Sequence, residues 1–410
     1  MSDQGLQRKL GLLDATTLLV GSMIGSGIFI APSLMAKNVA APGVYLGLWV
    51  LGGAWTLLGA FSYGELAAMM PQAGGQYVYL RRALGPLMGF LYGWTLLLVI
   101  QSGFAAAVSI AFAKYLGIFL PFIGETKVLL RFGGMSISSA QLTAVGVIAL
   151  LTWINTRGVE TGAQVQNLFT VLKVGALLLL TLLGFAIGRG SFDNFAPLWS
   201  GEVPHVPGAV EAGFLAALGV AISKALFSYD AWNTVTFAAA EIRNPGRNLP
   251  RALIYGTLVT TLTYTAAAAV YMYLVPLDRM ALVPENRIAT EVARILFGQV
   301  GTLFIAAAIL ISTFGCVNGM LLGGARVLYA MAEDGLLFRA AGQLNERRSP
   351  HVALYLLGGW SAVLALSGRY DDLLTYTTFA SLLFNATTVA CIYVLRRRLP
   401  AVERPYRTWG

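Results

Sequence analysis

Charge is scarce in this sequence. Only 11% of its 410 residues are Asp, Glu, Lys or Arg, and 57% are hydrophobic, whereas a soluble globular domain carries about 25% charged residues. The mean hydropathy is +0.70. These values exclude a soluble enzyme or binding module and point to a polytopic membrane protein. Cysteine is almost missing. Cys316 and Cys391 both lie in apolar runs, so no disulfide framework or thiolate metal cluster can be assembled from them. Histidine occurs twice, as His205 and His351, both in polar connections. No metal site and no cofactor are therefore expected. No HExxH, GxSxG or paired catalytic carboxylates occur in the apolar runs, which gives no reason to expect an enzyme. A cleavable leader is not expected either, because the apolar run after Leu10 is too long and ends without a small-residue cleavage site. The net charge of +9 does not imply nucleic acid, since the basic residues sit in short loops, where they set membrane topology.

What is present is a series of long apolar runs. Polar breaks divide the chain into ten expected spans: Leu12–Ala36, Gly43–Met70, Pro86–Leu120, Ile137–Asn155, Ala163–Ile187, Gly213–Ala240, Arg251–Val275, Val300–Met331, His351–Ser367 and Leu373–Leu395. Alternate loops are rich in arginine and lysine: Arg8 and Lys9, Arg81 and Arg82, Arg157, Arg243 to Arg251, Arg339 to Arg348, and the tail Arg396-Arg397-Arg398. The positive-inside rule then places both termini in the cytoplasm of a multi-pass protein of the cell membrane, which requires an even number of spans. The loop from Pro276 to Gln299 is long and mixed in charge, suited to a short amphipathic helix on the outer face. Pro71–Leu84, with its tyrosines and arginines, reads either as a segment lying in the headgroup region or as an ordinary loop.

Two spans carry interruptions. Gly21-Ser22-Met23-Ile24-Gly25-Ser26-Gly27 falls in the middle of the first. Glycine costs a helix about 1 kcal/mol relative to alanine, so the helix is expected to break there. Unpaired backbone at membrane depth is tolerated only where it lines a cavity or is buried in protein. Alternatively, Gly21 and Gly25 form a GxxxG pair for close helix packing. In the sixth span Ser228, Asp230, Asn233 and Thr234 interrupt an apolar run. An aspartate at such depth costs about 2.5–3.5 kcal/mol on insertion scales and is a functional hypothesis by default. Five spans separate one break from the other, and an odd-numbered unit inverts its direction when repeated. Broken helices at matching positions of two inverted halves point to a transporter binding site. Free N–H groups at a half-helix start suit a carboxylate, and exposed carbonyls suit an ammonium. A zwitterionic amino acid matches that pair.

Gly25-Ser26-Gly27-Ile28-Phe29, Phe227-Ser228-Tyr229-Asp230-Ala231-Trp232-Asn233, Glu241-Ile242-Arg243-Asn244-Pro245 and the tail Arg404-Pro405-Tyr406-Arg407 together resemble the amino acid–polyamine–organocation superfamily, and within it the L-amino acid transporter branch. The resemblance runs along essentially the whole chain. It implies an all-α, five-plus-five inverted-repeat transporter fold with discontinuous spans 1 and 6. Residues 1–187 would form the first repeat, 188–212 an outer loop, 213–396 the second repeat and 397–410 a basic cytoplasmic tail. It implies a substrate site made of Met23, Ile24, Gly25, Ser26 and Gly27 at one break and Phe227, Ser228, Tyr229, Asp230, Ala231 and Asn233 at the other. The carboxylate would meet the backbone at Ser26 and Gly27, and the amino group carbonyls near Met23, Phe227 and Asp230. Phe227 stands where an aromatic gate covers the substrate; a packing or lipid-facing ring is the alternative.

Lys173 places an ammonium deep in the fifth span, where it either snorkels to an interface or needs carbonyl and hydroxyl partners. The resemblance puts it where sodium sits in sodium-coupled relatives, bridging the first break to Ser312 or Thr313 of the eighth span. The implied function is sodium-independent exchange of small neutral L-amino acids by alternating access. A proton-coupled amino acid or polyamine carrier, or a non-transporting sensor or channel, is the alternative. Asp230 would cap the broken helix or titrate, and Gln101 would reach the site or bond between helices. The expected partners are the amino acid and the lipid bilayer. No disulfide-linked heavy subunit is expected, because the loop Pro121 to Ser136 holds no cysteine. Proteins of this kind usually continue past the Arg-Pro-Tyr-Arg motif with two further spans, and both repeats are expected to be complete without them.

Overall fold

The computed structural model describes residues 8–132, 135–157, 159–199, 213–367 and 370–409. Part of the outer connection, with His205, and also Arg369 lie outside the described residues. The first span is two helices, α1 (Leu12–Met23) and α2 (Gly27–Ala36), followed by α3 (Pro42–Met69). A short helix, α4 (Gln76–Leu84), precedes the third span. That span consists of α5 (Pro86–Thr95), a π-helical turn at Leu96–Ile100, and α6 (Gln101–Leu116). A hairpin of β1 (Val128–Phe132) and antiparallel β2 (Met135–Ser138) leads into α7 (Ser139–Asn155) and α8 (Val159–Ala186). The second half begins with α9 (Phe214–Tyr229), a 3₁₀ segment at Thr234–Glu241 and α10 (Pro245–Leu274). It continues through α11 (Leu277–Met280), α12 (Ile288–Glu333), α13 (His351–Ser367) and α14 (Tyr370–Arg398).

Local chemistry sets several of these starts. α3, α5 and α10 open on proline, whose missing N–H is no loss in a first turn. α7 opens on a reciprocal box: Gln141 N–H donates to Ser138 Oγ at 3.3 Å, and Ser138 N–H donates to Gln141 Oε1 at 2.8 Å. The amphipathic helix expected between Pro276 and Gln299 is present. It is the start of α12, with Ile288, Val292, Ala293 and Leu296 buried, before the backbone kinks at Gly298 (φ 63°, ψ −144°).

Among the described residues, eight helical segments are long and apolar enough to cross a membrane, and the shorter apolar α7 and α13 bring the set to ten. The first span is the axis of the bundle. Its apolar window is 94% buried inside the protein, against 33% for α8. α1 packs on α8, α10 and α12, α2 packs on α9, and α3 runs along α10. The outward faces carry Trp55, Leu58, Leu182, Leu262 and Phe379 fully in the open, more apolar surface than a soluble protein exposes. The chain is a multi-pass membrane protein.

Both described chain ends lie at one end of the bundle. Leu10 bridges Ile242 in parallel. At the same end the tail returns over α3, where Thr408 N–H donates to Glu65 Oε2 at 2.9 Å. The stretch Pro71–Leu84 is not an ordinary loop: it contains α4, which buries Tyr77 and Tyr79 completely. Tyr79 meets the Tyr63 ring at 6.0 Å, and Tyr77 donates to Asp334 at 2.9 Å. Gly74 N–H donates to Phe237 O at 3.1 Å, docking the start of α4 on the second half of the sixth span.

Candidate functional site

The break in the first span is real and fully accounted for. The last helical bond is Ile24 N–H to Val20 O at 2.9 Å, and Gly25 N–H then turns back to Met23 O at 2.8 Å. Four carbonyls lose their helical partners, and other helices supply donors to all of them. Lys173 Nζ donates to Gly21 O, and to Ile24 O at 2.8 Å. The Cys316 thiol donates to Ser22 O at 3.0 Å. Tyr264 hydroxyl lies 2.8 Å from Met23 O, and Ser312 Oγ donates to Ile24 O at 2.9 Å. Lys173 is 1% exposed, so it does not snorkel. Its third contact is Ser312 O at 3.4 Å. Thr313 does not take part. Its hydroxyl bonds back to Ile309 O at 2.8 Å within α12, the usual local alternative for a helical threonine.

The second break has a different construction. α9 ends as Asp230 N–H turns back to Phe227 O at 3.1 Å, and Ala231 adopts φ 65°. The chain resumes as a 3₁₀ rather than an α-helix. Thr236 Oγ1 bonds to Asn233 O at 2.7 Å, a local side-chain bond of the kind that competes with α-helical pairing. The capping role considered for Asp230 is corrected here. The cap position of the 3₁₀ segment is Asn233, while the Asp230 carboxylate reaches across to α14, where Ser381 Oγ donates to it at 3.0 Å. Ser381 begins a buried polar chain. Asn385 Nδ2 lies 3.4 Å from Ser381 Oγ, Asn233 Nδ2 donates to Asn385 Oδ1 at 3.1 Å and to Gln76 Oε1 at 2.8 Å, and Gln76 donates to Thr388 at 3.0 Å.

The two breaks touch. A Cβ on Gly27 would lie 2.7 Å from Ser228 Cα, and one on Gly25 would lie 2.7 Å from Cys316 Sγ. Gly25 is thus both a helix breaker and a packing residue, so the two readings of that glycine pattern are compatible. Tyr264 of α10 ties the breaks together, its one hydroxyl lying 2.8 Å from Met23 O and 3.0 Å from Ser228 O. Beside this contact is a cavity of about 20 Å³ lined by Met23, Gly25, Ser26, Gly27, Phe227, Ser228 and Asp230, together with Ser22, Phe104, Val108, Cys316 and Met320. A second, about 10 Å³, is lined by Asp230, Ala231, Asn233, Gln76, Gln101, Tyr92 and Ser381, and shares Phe104 and Met320 with the first. Voids of this size hold a water at most. The Phe104 and Phe227 rings meet at 5.7 Å, and their separation, with Met320, is what would join the cavities.

Most of the residues expected to bind substrate therefore face these two cavities. Two of that set do not. The Ile24 side chain is packed in the core and only its carbonyl is at the break. Tyr229 points away, its hydroxyl donating to Trp49 O at 2.9 Å. Gln101 combines both roles open to it, lining a cavity while its amide donates to Met320 O at 2.7 Å. The sequence reading missed Phe104, Met320, Cys316 and Tyr264, which in an apolar run look like packing residues. The π turn just before Gln101 lies on the cavity wall through Ile100, where such turns commonly re-aim side chains at functional sites.

Below the cavities, the end bearing both chain ends is shut. Arg326 Nε lies 3.2 Å from Glu241 Oε1, with the side chains 2% and 1% exposed. Lys9 and Leu10 N–H both donate to Glu241 O at 2.9 Å.

The model of a protein family described as amino acid permease matches residues 10–410. The chain is 30% identical over 406 residues to the mouse Asc-type amino acid transporter 1, covering 98% of this chain and 73% of that protein. It is 28% identical over 411 residues to the rabbit b(0,+)-type amino acid transporter 1, covering 98% and 79%. A cystine/glutamate transporter of Pongo abelii is 28% identical over 404 residues, covering 98% and 76%.

Proposed function

The chain belongs to the amino acid permease family of the amino acid–polyamine–organocation superfamily, and we propose that within it this protein exchanges small neutral L-amino acids without sodium. Family and relatives are transporters, and amino acid transport is the activity that membership supports. The observation that carries the finer reading is Lys173. Its ammonium occupies the carbonyls of Gly21, Ile24 and Ser312, a ring of oxygens of the kind that holds a cation. A covalently fixed cation there removes the need for a dissolved one.

In this reading the substrate carboxylate meets the start of α2 at Ser26 and Gly27, where first-turn N–H groups have no intrahelical acceptor. The ammonium meets the carbonyls shared by Tyr264. One hydroxyl proton serves Met23 O and Ser228 O, and an ammonium with three donors fills that deficit. Phe227 and Phe104 part to admit the ligand and close over it. Residues 1–187 and 213–396 act as two repeats rocking about the breaks, joined by 188–212 and ending in the tail 397–410. Both termini lie on the cytoplasmic side, and no disulfide-linked subunit is required.

The test is counterflow in proteoliposomes. Uptake of labelled alanine or serine should be unchanged when sodium is replaced by choline, and should accelerate when the lumen holds unlabelled amino acid. A requirement for sodium, or no acceleration, overturns the proposal. A second reading, proton-coupled carriage, is favoured by the position of Asp230, which lines both cavities. It requires uptake to follow a pH gradient and to lose that dependence in Asp230→Asn.

A further inference from the structure

A cleft far larger than either cavity lies away from the breaks. It has a volume of about 690 Å³ and lies at the end of the bundle bearing both chain ends. Its wall is the first two turns of α10 from Pro245 to Ile254, with Arg8 on one side and Pro405 and Tyr406 of the tail on the other. The tail is held in place. Arg404 donates to Leu399 O at 2.9 Å, and Arg396 and Thr408 both bind Glu65. A Cβ on Gly246 would come within 3.2 Å of Pro405, and one on Gly64 within 3.0 Å of Tyr406. The cleft is thus a built concavity between three segments.

Three arginines line it: Arg8, Arg247 and Arg251. None of their guanidinium groups has a hydrogen-bond or ion-pair partner among the described residues. Arg326, Arg396 and Arg404 at this end are matched, the first with Glu241 and the other two with Glu65; what sets Arg8, Arg247 and Arg251 apart is that they share one cleft. Among the described residues no acidic side chain lines the cleft. The positive end of the α10 dipole adds to the same field. Loop arginines that only set topology need not converge on one concavity, and these do.

The face of α10 above the cleft indicates the rest of the ligand. Arg247, Arg251, Leu258 and Leu262 recur at near-helical spacing, so one stripe runs from the guanidinium groups into the membrane-spanning part of the helix. Tyr255, Leu258, Val259 and Leu262 on it are exposed, Leu262 to 70%. Anion recognition at the helix end and uncovered apolar surface directly above it match a molecule with a phosphoryl head and acyl chains.

We propose that this cleft binds the phosphodiester headgroup of an anionic phospholipid, with Arg8, Arg247 and Arg251 on the phosphate and the acyl chains along Leu258 and Leu262. The site is separate from the breaks. Because the lipid bridges the α10 start, the N-terminal segment and the tail, it joins the three parts that close this end of the protein.

The experiment uses the full purified chain in mild detergent, titrated with phosphatidylglycerol or phosphatidylcholine and read by native mass spectrometry. Phosphatidylglycerol adducts should form preferentially. A basic side chain near an anionic surface contributes about fivefold to affinity, so Arg247→Gln alone should weaken binding by about fivefold. The triple variant with Arg8→Gln and Arg251→Gln should lose on the order of a hundredfold. A control removing the same charge elsewhere, Arg82→Gln with Arg157→Gln and Arg397→Gln, should retain the lipid. Equal binding of both lipids, equal loss in the control, or no loss in Arg247→Gln overturns the proposal. So does displacement of phosphatidylglycerol by millimolar inorganic phosphate, which would assign the cleft to a free anion. Arg247 is exposed in the first turn of α10, so the single variant remains informative if the triple variant does not fold.

Discussion

The two helix breaks perform the same interruption by opposite means. At the first, the backbone is exposed and other helices grip it. Lys173, Cys316, Tyr264 and Ser312 each take a carbonyl between Gly21 and Ile24. At the second, the side chains do the reaching, and Asp230 and Asn233 enter a polar chain that runs through Ser381, Asn385 and Gln76. A break fixed by its carbonyls has its geometry set by distant residues and little freedom to change. A break held by side-chain amides and hydroxyls can exchange partners without disturbing its backbone. By this difference the break in the first span is the fixed one and the break in the sixth the adaptable one.

That contrast can be broken at its strongest point by Lys173→Ala. Charge-assisted bonds contribute about 1.5–3 kcal/mol each, and losing those to the break should lower uptake on the order of a hundredfold. The yield of monodisperse protein should fall much less, as size-exclusion chromatography would show. Wild-type turnover in this variant would remove the fixed-cation idea. Next comes Gly27→Ala. Overpacking costs about 1–3 kcal/mol, and the new methyl must push Ser228 away, so counterflow should fall by about tenfold or more. Rates near wild type would mean that the breaks need not touch.

Tyr264→Phe sharpens the comparison, since this hydroxyl is the direct link between the breaks. Each hydrogen bond lost costs about 0.5–1.5 kcal/mol, and the half-saturating amino acid concentration should shift by about tenfold. A shift confined to the maximal rate would place Tyr264 in the conformational change instead. The smallest effect is a paired one. Ser312→Ala removes a bond of about 1 kcal/mol and should slow uptake by about fivefold, while Thr313→Ala should stay within the about 0.5 kcal/mol typical of neutral positions. Equal effects in the two would contradict the assignment of Ser312 to the break.

The breaks were legible because each violates the rules of an apolar helix. Three glycines in the first span and an aspartate in the sixth are poor choices unless the helix stops there. Lys173 was legible for the same reason, as a lone ammonium in an apolar run. The groups that hold the breaks were not. Tyr264, Cys316, Phe104 and Met320 lie in spans where nearly every residue is apolar, so no periodicity separates a residue facing the site from one facing lipid. Asp230 was placed at the right break, but its partner Ser381 is remote in sequence and could not be named. The helix α4 was half-legible for a related reason. Tyrosine and arginine beside a span suit the membrane interface, but the contacts with Tyr63 and Asp334 that pack the helix against protein are remote in sequence.

The 3₁₀ segment after the second break also stores length. A 3₁₀ helix rises about 2.0 Å per residue, against about 1.5 Å in an α-helix, and the segment is kinked at Ala238. Recoiling into α geometry would shorten it and draw Glu241 inward. Since Lys9, Leu10 and Arg326 are all tied to Glu241, the retraction would pull at the bolt on that end of the protein. A change of helical pitch beside the ligand would then be felt as tension at the far door.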